Sequence, residues 1–186
     1  MKSLIMLSAI IIDCIIETPV YSQTIFPIDE KGEIVYSEVV KVDSAKSNEL
    51  FVRAHEWFAN AFKSAKAVIQ LDDKEAGKIV GKGTFDVSDN NNHNSLIYIA
   101  WTGTVDFTVE IQTKDGRYKY VFSNIVFTNT ETGYPGDLKL IAPFTKGMYH
   151  ERLNKQWSDI RQNTSAMILN MIGGLKKSMN SNNNNW

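Results

Sequence analysis

The sequence predicts an α+β domain: an antiparallel sheet of about five strands, with one helix from the first half of the chain and a long C-terminal helix packed together on one face. Three observations carry this. Strand and helix patterns come in the order strand, helix, three or four strands, helix, and a run of strands bounded by helices builds α+β layers. Two stretches, "SNELFVRAHEWFANAFKSA" and the one starting near Met148, place apolar residues at helical spacing. Between them, residues 78 to 127 alternate apolar and polar around the turn dipeptide Asp115-Gly116. A chain of 186 residues suits one domain with short appendages, and 43% apolar residues, with four Trp and nine Phe, supply a core.

The elements follow in order. "EIVYSEVVKV" sets Ile34, Tyr36, Val40 and Val42 on one side of a half-buried strand. In the first helix Ser47 is the expected N-cap. Leu50, Phe51, Ala54, Trp57, Phe58, Ala61, Phe62 and Ala65 form its apolar face, and Arg53, Glu56, Asn60 and Lys63 its polar side. "AVIQL" is a short strand and "DDKEAG" a polar turn. In "KIVGKGTFDV", Ile79, Gly81, Gly83, Phe85 and Val87 alternate with Lys78, Val80, Lys82, Thr84 and Asp86. The glycines are expected to face the helices, letting Trp57 or Phe58 approach the backbone. "SDNNNHN" is a loop tip, after which Val105, Phe107, Val109 and Ile111 share a face.

"KDGR" predicts a two-residue type I′ hairpin, with positive φ at Asp115 and Gly116. The turn sets a register in which Lys114 faces Arg117, Gln112 faces Lys119, Ile111 faces Tyr120, Glu110 faces Val121 and Val109 faces Phe122. Apolar faces coincide in this register, and a slip of one residue would expose them all. Residues 128–147 read as a long connection with a short strand in "LKLIAPF". The last helix runs from about Met148 to Ile172, with Leu153, Trp157, Ile160, Thr164, Ile168, Met171 and Leu175 on one face and Gly173-Gly174 as its stop.

At the N-terminus, Lys2, the apolar run Leu4–Ile16 and the polar stretch after it have the layout of a secretory signal peptide, residues 1–22, with Gln23 as the mature N-terminus. Asp13 inside the run and Cys14 beside it leave a retained N-terminal helix and a lipidated cysteine as alternative readings. The domain is expected over residues 23–178, followed by an Asn-rich tail, 179–186. Cleavage removes the single cysteine together with Lys2, Asp13 and Glu17, leaving 19 basic and 19 acidic residues. A neutral exported chain is a poor nucleic-acid binder, because phosphate neutralisation needs a basic excess. The expected location is the periplasm or the exterior, with no membrane span after cleavage.

"FPIDEKGEIVYSEVVKVDSAKSNELFVRAHEWFANAFKSAKAVIQLDDKEAGKIVGKGTF" and "DGRYKYVFSNIVF" resemble a family of exported bacterial domains of unknown function with a fold like that of the TATA-box-binding protein (TBP-like). The similarity spans residues 26 to 128, and the tryptophan helix and "DKEAGKIVGKG" are its most specific parts. It implies a curved antiparallel sheet with helices on the convex side. It implies no activity and no site residues, and fold likeness to a DNA-binding protein does not imply DNA binding.

Motifs that carry chemistry are incomplete. "GKIVGKG" is one residue short of a phosphate loop, lacks its Ser or Thr, and leads into a strand. "HEWFA" and "HERLN" lack the second His of a zinc helix, having Ala59 and Asn154 at that place. "DNNNHN" lacks the Gly and Glu of a calcium loop. No cofactor, metal site or catalytic residue is expected. The expected function is non-enzymatic binding of a peptide, glycan or partner protein of the cell envelope. It would use the sheet face opposite the helices, through Val80, Lys82, Tyr98, Lys119, Val121, Ile125 and Phe127. Two alternatives stand beside it. One is a small-molecule or lipid carrier with a cavity between sheet and C-terminal helix, near Met148, Met167 and Met171. The other is an envelope hydrolase using paired carboxylates.

Overall fold

A computed structural model describes residues 25–89, 102–133 and 135–181. Its elements are β1 (Tyr36–Lys41), α1 (Ser47–Ala61), α2 (Ala65–Val68), β2 (Ile69–Asp73), β3 (Lys78–Ser88), β4 (Thr102–Lys114), β5 (Arg117–Asn129), β6 (Pro135–Gly136) and α3 (His150–Asn180). The strands form one sheet in the order β1-β5-β4-β3-β2, with β6 also on β5, and all pairs are antiparallel. The expected α+β architecture is present. The loop tip "SDNNNHN", beyond Asp89, and Tyr98 lie outside the described residues.

The core lies on one side of the sheet. Ile79, Ile111 and Tyr120 form one cross-strand row, and Gly81, Val109 and Phe122 the next. Leu50, Ala54, Trp57 and Phe58 of α1 and Trp157, Ile160, Ile168 and Leu175 of α3 are buried with them. The β3 glycines have the predicted role. A Cβ on Gly81 would stand 2.5 Å from the Phe58 ring, and one on Gly83 would stand 2.5 Å from Phe107 and 2.7 Å from Phe62. Two bare backbone positions thus admit a layer of rings, with Phe107 stacked on Phe62 at 6.2 Å and on Phe122 at 5.9 Å.

The predicted hairpin register is observed at all five pairs, yet the turn is not type I′: Gly116 has φ 74, and Asp115 is not among the positive-φ residues. The connection between β1 and α1 clasps the tip and sets its geometry. Val42 N–H donates to Gly116 O at 2.9 Å, Gly116 N–H donates to Ala45 O at 2.9 Å, and Ser47 N–H donates to the Asp115 carboxylate at 2.8 Å. Asp115 therefore caps α1 from the turn between β4 and β5, where an anion is favoured at a helix N-terminus. Ser47, the expected N-cap, is instead the first helical residue, and its hydroxyl donates to Thr113 O.

Four further differences have physical reasons. Arg53, expected on the polar side of α1, is buried, and its guanidinium donates to Met179 O at 2.6 Å, satisfying a carbonyl at the end of α3. Gly173-Gly174 do not stop α3, because Ile172, Leu175 and Met179 bury apolar area beyond them and outweigh two poor helix formers. The helix thus includes Met179 and Asn180, which the sequence assigned to the tail. "LKLIAPF" holds no strand: β6 is two residues long, and the segment after it packs against α3, with Trp157 Nε1 donating to Leu140 O and Arg161 Nε to Leu138 O, each at 2.8 Å.

The fourth difference is a β-bulge in β5. Thr108 faces Ser123 but Asp106 faces Val126, so Asn124 and Ile125 together oppose Phe107. Asn124 takes φ 53, a left-handed conformation that Asn tolerates better than most residues. The extra residue reverses the alternation. Tyr118, Tyr120 and Phe122 are buried before it, and Ile125, Phe127 and Asn129 after it.

Candidate functional site

The face opposite the helices alternates out of the same strands. Lys78, Val80, Lys82, Thr84 and Asp86 come from β3, and Asp106, Thr108, Glu110, Gln112 and Lys114 from β4. Arg117, Lys119, Val121 and Ser123 come from β5, and Ser37, Val39 and Lys41 from β1. Among the described residues no helix packs on this face, and the segment after β6 turns to the helix side.

Six of the seven expected site residues lie among the described residues, and four of them are on this face. Val80 and Val121 are half-buried and flank Glu110 in one cross-strand row, while Lys82 and Lys119 are exposed. Ile125 and Phe127 are not on this face. The bulge turns both to the helices, where Ile125 is 8% exposed and Phe127 fully buried against Trp157, ring centroids 5.5 Å apart. Val126 takes the outward position in their stead, 45% exposed.

Charge is unevenly spread over the face. Toward β2, Lys78 pairs with Glu110 at 3.0 Å and Gln112 donates to the same carboxylate. Toward the hairpin tip, Lys41 stands directly opposite Arg117, and Arg117 directly opposite Lys114. In the next row Lys119 lies between Val39 and Gln112. These four cations form no ion pair with any described residue. Asp115 is drawn away from them. Its bond from Ser47 N–H, and secondarily the nearby Lys46 at 3.6 Å, hold its carboxyl below the usual carboxylate range. Like charges directly opposite each other destabilise a strand pair, so this row costs folding stability. Lys41, Lys114 and Arg117 are not among the site residues the sequence suggests, although the "KDGR" register sets Lys114 against Arg117.

The face carries no aromatic side chain among its described residues. It offers ammonium and guanidinium donors, threonine and serine hydroxyls, and the exposed Val39 at 57%. Among the described residues no three His, Cys, Asp or Glu side chains converge as metal ligands. His55, in "HEWFA", contacts Asp72 at 3.0 Å and the Phe51 ring at 5.0 Å, which makes it a bridge between α1 and β2.

On the helix side, Glu38 of β1 accepts from Lys176 of α3 at 2.6 Å and from the Tyr120 hydroxyl at 2.8 Å, which together lower its pKa. Burial pushes the Tyr118 and Tyr120 hydroxyls well above their ordinary range, helped by the Glu38 charge.

The fold has solved relatives. A DUF4468 family protein from Bacteroides ovatus superposes with a TM-score of 0.65 at 16% identity, covering 88% of this chain and 95% of its own. A TBP-like protein from Parabacteroides distasonis gives 0.62 at 16% identity, covering 83% and 97%. At that identity the likeness is one of fold. A search of curated proteins finds no match. The model of domain of unknown function DUF4468, described as having a TBP-like fold, matches residues 36–128, from the first residue of β1 to the penultimate residue of β5, and the chain belongs to that family.

Proposed function

We propose that this protein is an exported, non-enzymatic binding module whose uncovered sheet face holds an acidic segment of a partner protein or peptide. The observation that carries this is the row Lys41–Arg117–Lys114 with Lys119 beside it: four cations without a carboxylate, kept in register at a cost to stability. Electrostatic complementarity of this kind selects anionic partners and speeds their encounter. A peptide fits the face better than a glycan or single-stranded nucleic acid, since bases and sugar rings stack on aromatic platforms and this face has none among its described residues. The N-terminal run Leu4–Ile16 supports export.

The hydrolase alternative needs a carboxylate held protonated beside an ionised one. Glu38 and Asp115 are both held low, ionised and not protonated near neutral pH. The carrier alternative places its cavity between sheet and α3, where Phe127, Trp157, Ile160 and Ile168 are in fact buried.

The test is fluorescence anisotropy with a labelled ten-residue polyglutamate peptide and a polyglutamine control. The expected result is salt-sensitive binding of the acidic peptide alone, weakened about tenfold, or roughly 1.4 kcal/mol, by Lys114→Gln, Arg117→Gln and Lys119→Gln together. A charge-matched control, Lys63→Gln, Lys66→Gln and Lys155→Gln, should change it less than about twofold, because screening confines the effect to nearby charges. Equal weakening by both triple variants, or tighter binding to an anionic polysaccharide than to the peptide, would overturn the reading.

A further inference from the structure

The groove between α1 and α3 is a cavity separate from the open sheet face. It holds about 580 Å³, within the range of small-molecule pockets. Met167, Met171, Gly174 and Lys177 line it from α3, facing Trp57 and Ala61 of α1. The α3 residues fall at intervals of three and four, so they form one stripe along the helix. The helices run antiparallel there: Arg53 reaches Met179 O, and Trp57, one turn later in α1, meets Gly174. Ala61, Met167 and Met171 give one stretch of the groove apolar surface beside Asn60 and Asn170, and Lys177 shares the polar stretch with Glu56 and Ser178.

Two independent features point to a ligand. First, Trp57 is 3% exposed, yet its indole N–H takes part in none of the hydrogen bonds of the described residues. The atom is not sealed off: the buried side-chain N and O atoms without a partner among the described residues are Arg53 Nε, Tyr118 OH and Thr164 Oγ1, so the Trp57 N–H is reached from the groove. Nε1 is the atom nearest to where a Gly174 Cβ would stand, 3.6 Å away, so it lies at the groove floor. Second, neither glycine of α3 is required by packing. A Cβ on Gly174 meets only that ordinary contact, and one on Gly173 meets nothing within 4 Å. Each glycine costs a helix interior about 1 kcal/mol relative to alanine. At Gly174 the missing side chain keeps the way to the Trp57 N–H clear.

The geometry points to a site for a linear aliphatic carboxylate. Its carboxylate would accept from Trp57 Nε1–H and pair with Lys177, one turn along α3 from Gly174, which forms no ion pair with a described residue. Its chain would run over Ala61, Met171 and Met167, where methionine adapts to varied apolar shapes. An acceptor at the indole and a negative charge at Lys177 are both needed, so headgroup chemistry sets the selectivity.

The experiment uses the full ¹⁵N-labelled chain, with the Trp57 indole resonance assigned through Trp57→Phe. Decanoate, decanol and decylamine are titrated below their aggregation concentrations. Decanoate should move the Trp57 indole N–H saturably and bind at least about tenfold more tightly than decanol, with decylamine inactive. Lys177→Gln should weaken decanoate about tenfold, and Gly174→Leu should abolish the shift in a protein whose circular dichroism is unchanged. Failure of Trp57 to move, equal binding of decylamine, or undiminished binding by Gly174→Leu would overturn the proposal. The Lys114, Arg117 and Lys119 triple variant should bind decanoate as the wild type does, which separates this site from the open face.

Discussion

The bulge at Asn124 makes a prediction that plain strand alternation does not. Without it, Val121, Ile125 and Phe127 would share one face and respond alike to substitution. With it, Val121 stays half-exposed on the open face while Phe127 has no exposed surface and lies edge-on to Trp157. Phe127→Ala removes a ring from a closed core and should cost about 3–5 kcal/mol. For a chain of this size that is a fall in Tm of roughly 6–20 °C. Val121→Lys keeps its charge in water and should stay within about 1 kcal/mol. Ile125→Lys would bury a charge at an 8% exposed position and should unfold the domain or nearly so. Asn124 itself gives a finer test. Asn124→Gly should be close to neutral, whereas Asn124→Val forces a β-branched residue to φ 53 and should cost about 1–2 kcal/mol. Urea denaturation and thermal melts followed by circular dichroism supply all five values. If Val121→Lys destabilises as much as Phe127→Ala, or Phe127→Ala costs under about 1 kcal/mol, β5 does not reverse its faces.

Gly81→Ala should destabilise by about 1–3 kcal/mol through overpacking against the buried Phe58 ring, while Gly173→Ala should stabilise by about 1 kcal/mol; urea midpoints decide both. Glu38 is held below its unfolded pKa by Lys176 and Tyr120, so its contribution is present above about pH 4.5 and is lost as pH falls through the folded value. The pair is partly exposed, so Glu38→Gln should lower stability near neutrality by only a few tenths to about 1 kcal/mol and flatten the acid limb of the pH–stability curve. Tyr36, Tyr118 and Tyr120 are raised chiefly by burial, so the stability they contribute is full below about pH 10 and declines above it. An absorbance titration at alkaline pH should show these three hydroxyls ionising late, with unfolding, and early ionisation of all the tyrosines would count against their burial.

Much of the fold was legible because it rests on period and on one turn. The register of β4 and β5 followed from "KDGR" even though Asp115 does not take the turn conformation expected of it, since pairing needs only the loop length. The amphipathic face of α1 was legible for the same reason. The burial of Arg53 was not, because its acceptor is a carbonyl 126 positions away in sequence. The bulge left no strong signal: "SNIVF" alternates as well without it, and only the tolerance of Asn for positive φ hints at the extra residue. That single residue decided which of the expected site residues are site and which are core. The glycine pair of α3 is a helix breaker only locally, and the apolar contacts of Leu175 and Met179 that carry the helix past it come from distant parts of the chain.

The cationic row and the clasp at the hairpin tip belong to one arrangement. Three cations in cross-strand register would push a free two-residue turn apart. Here the tip is pinned from the helix side by the Val42, Gly116 and Ala45 backbone bonds, and by Asp115 at the start of α1. Asp115 is the acid nearest to Lys114 and Arg117 in sequence and would otherwise be their natural partner. Its use as a cap stabilises α1 and leaves the row without a counter-ion in the same step. Asp115→Asn tests whether the two effects are coupled. The amide can still accept from Ser47 N–H but no longer attracts Lys46, so α1 should remain capped while the positive field at the tip increases. Binding of the acidic peptide should then tighten, most at low salt, with little change in Tm. A weaker complex after Asp115→Asn would mean that the carboxylate helps to place the cations, and that the row is not free to act alone.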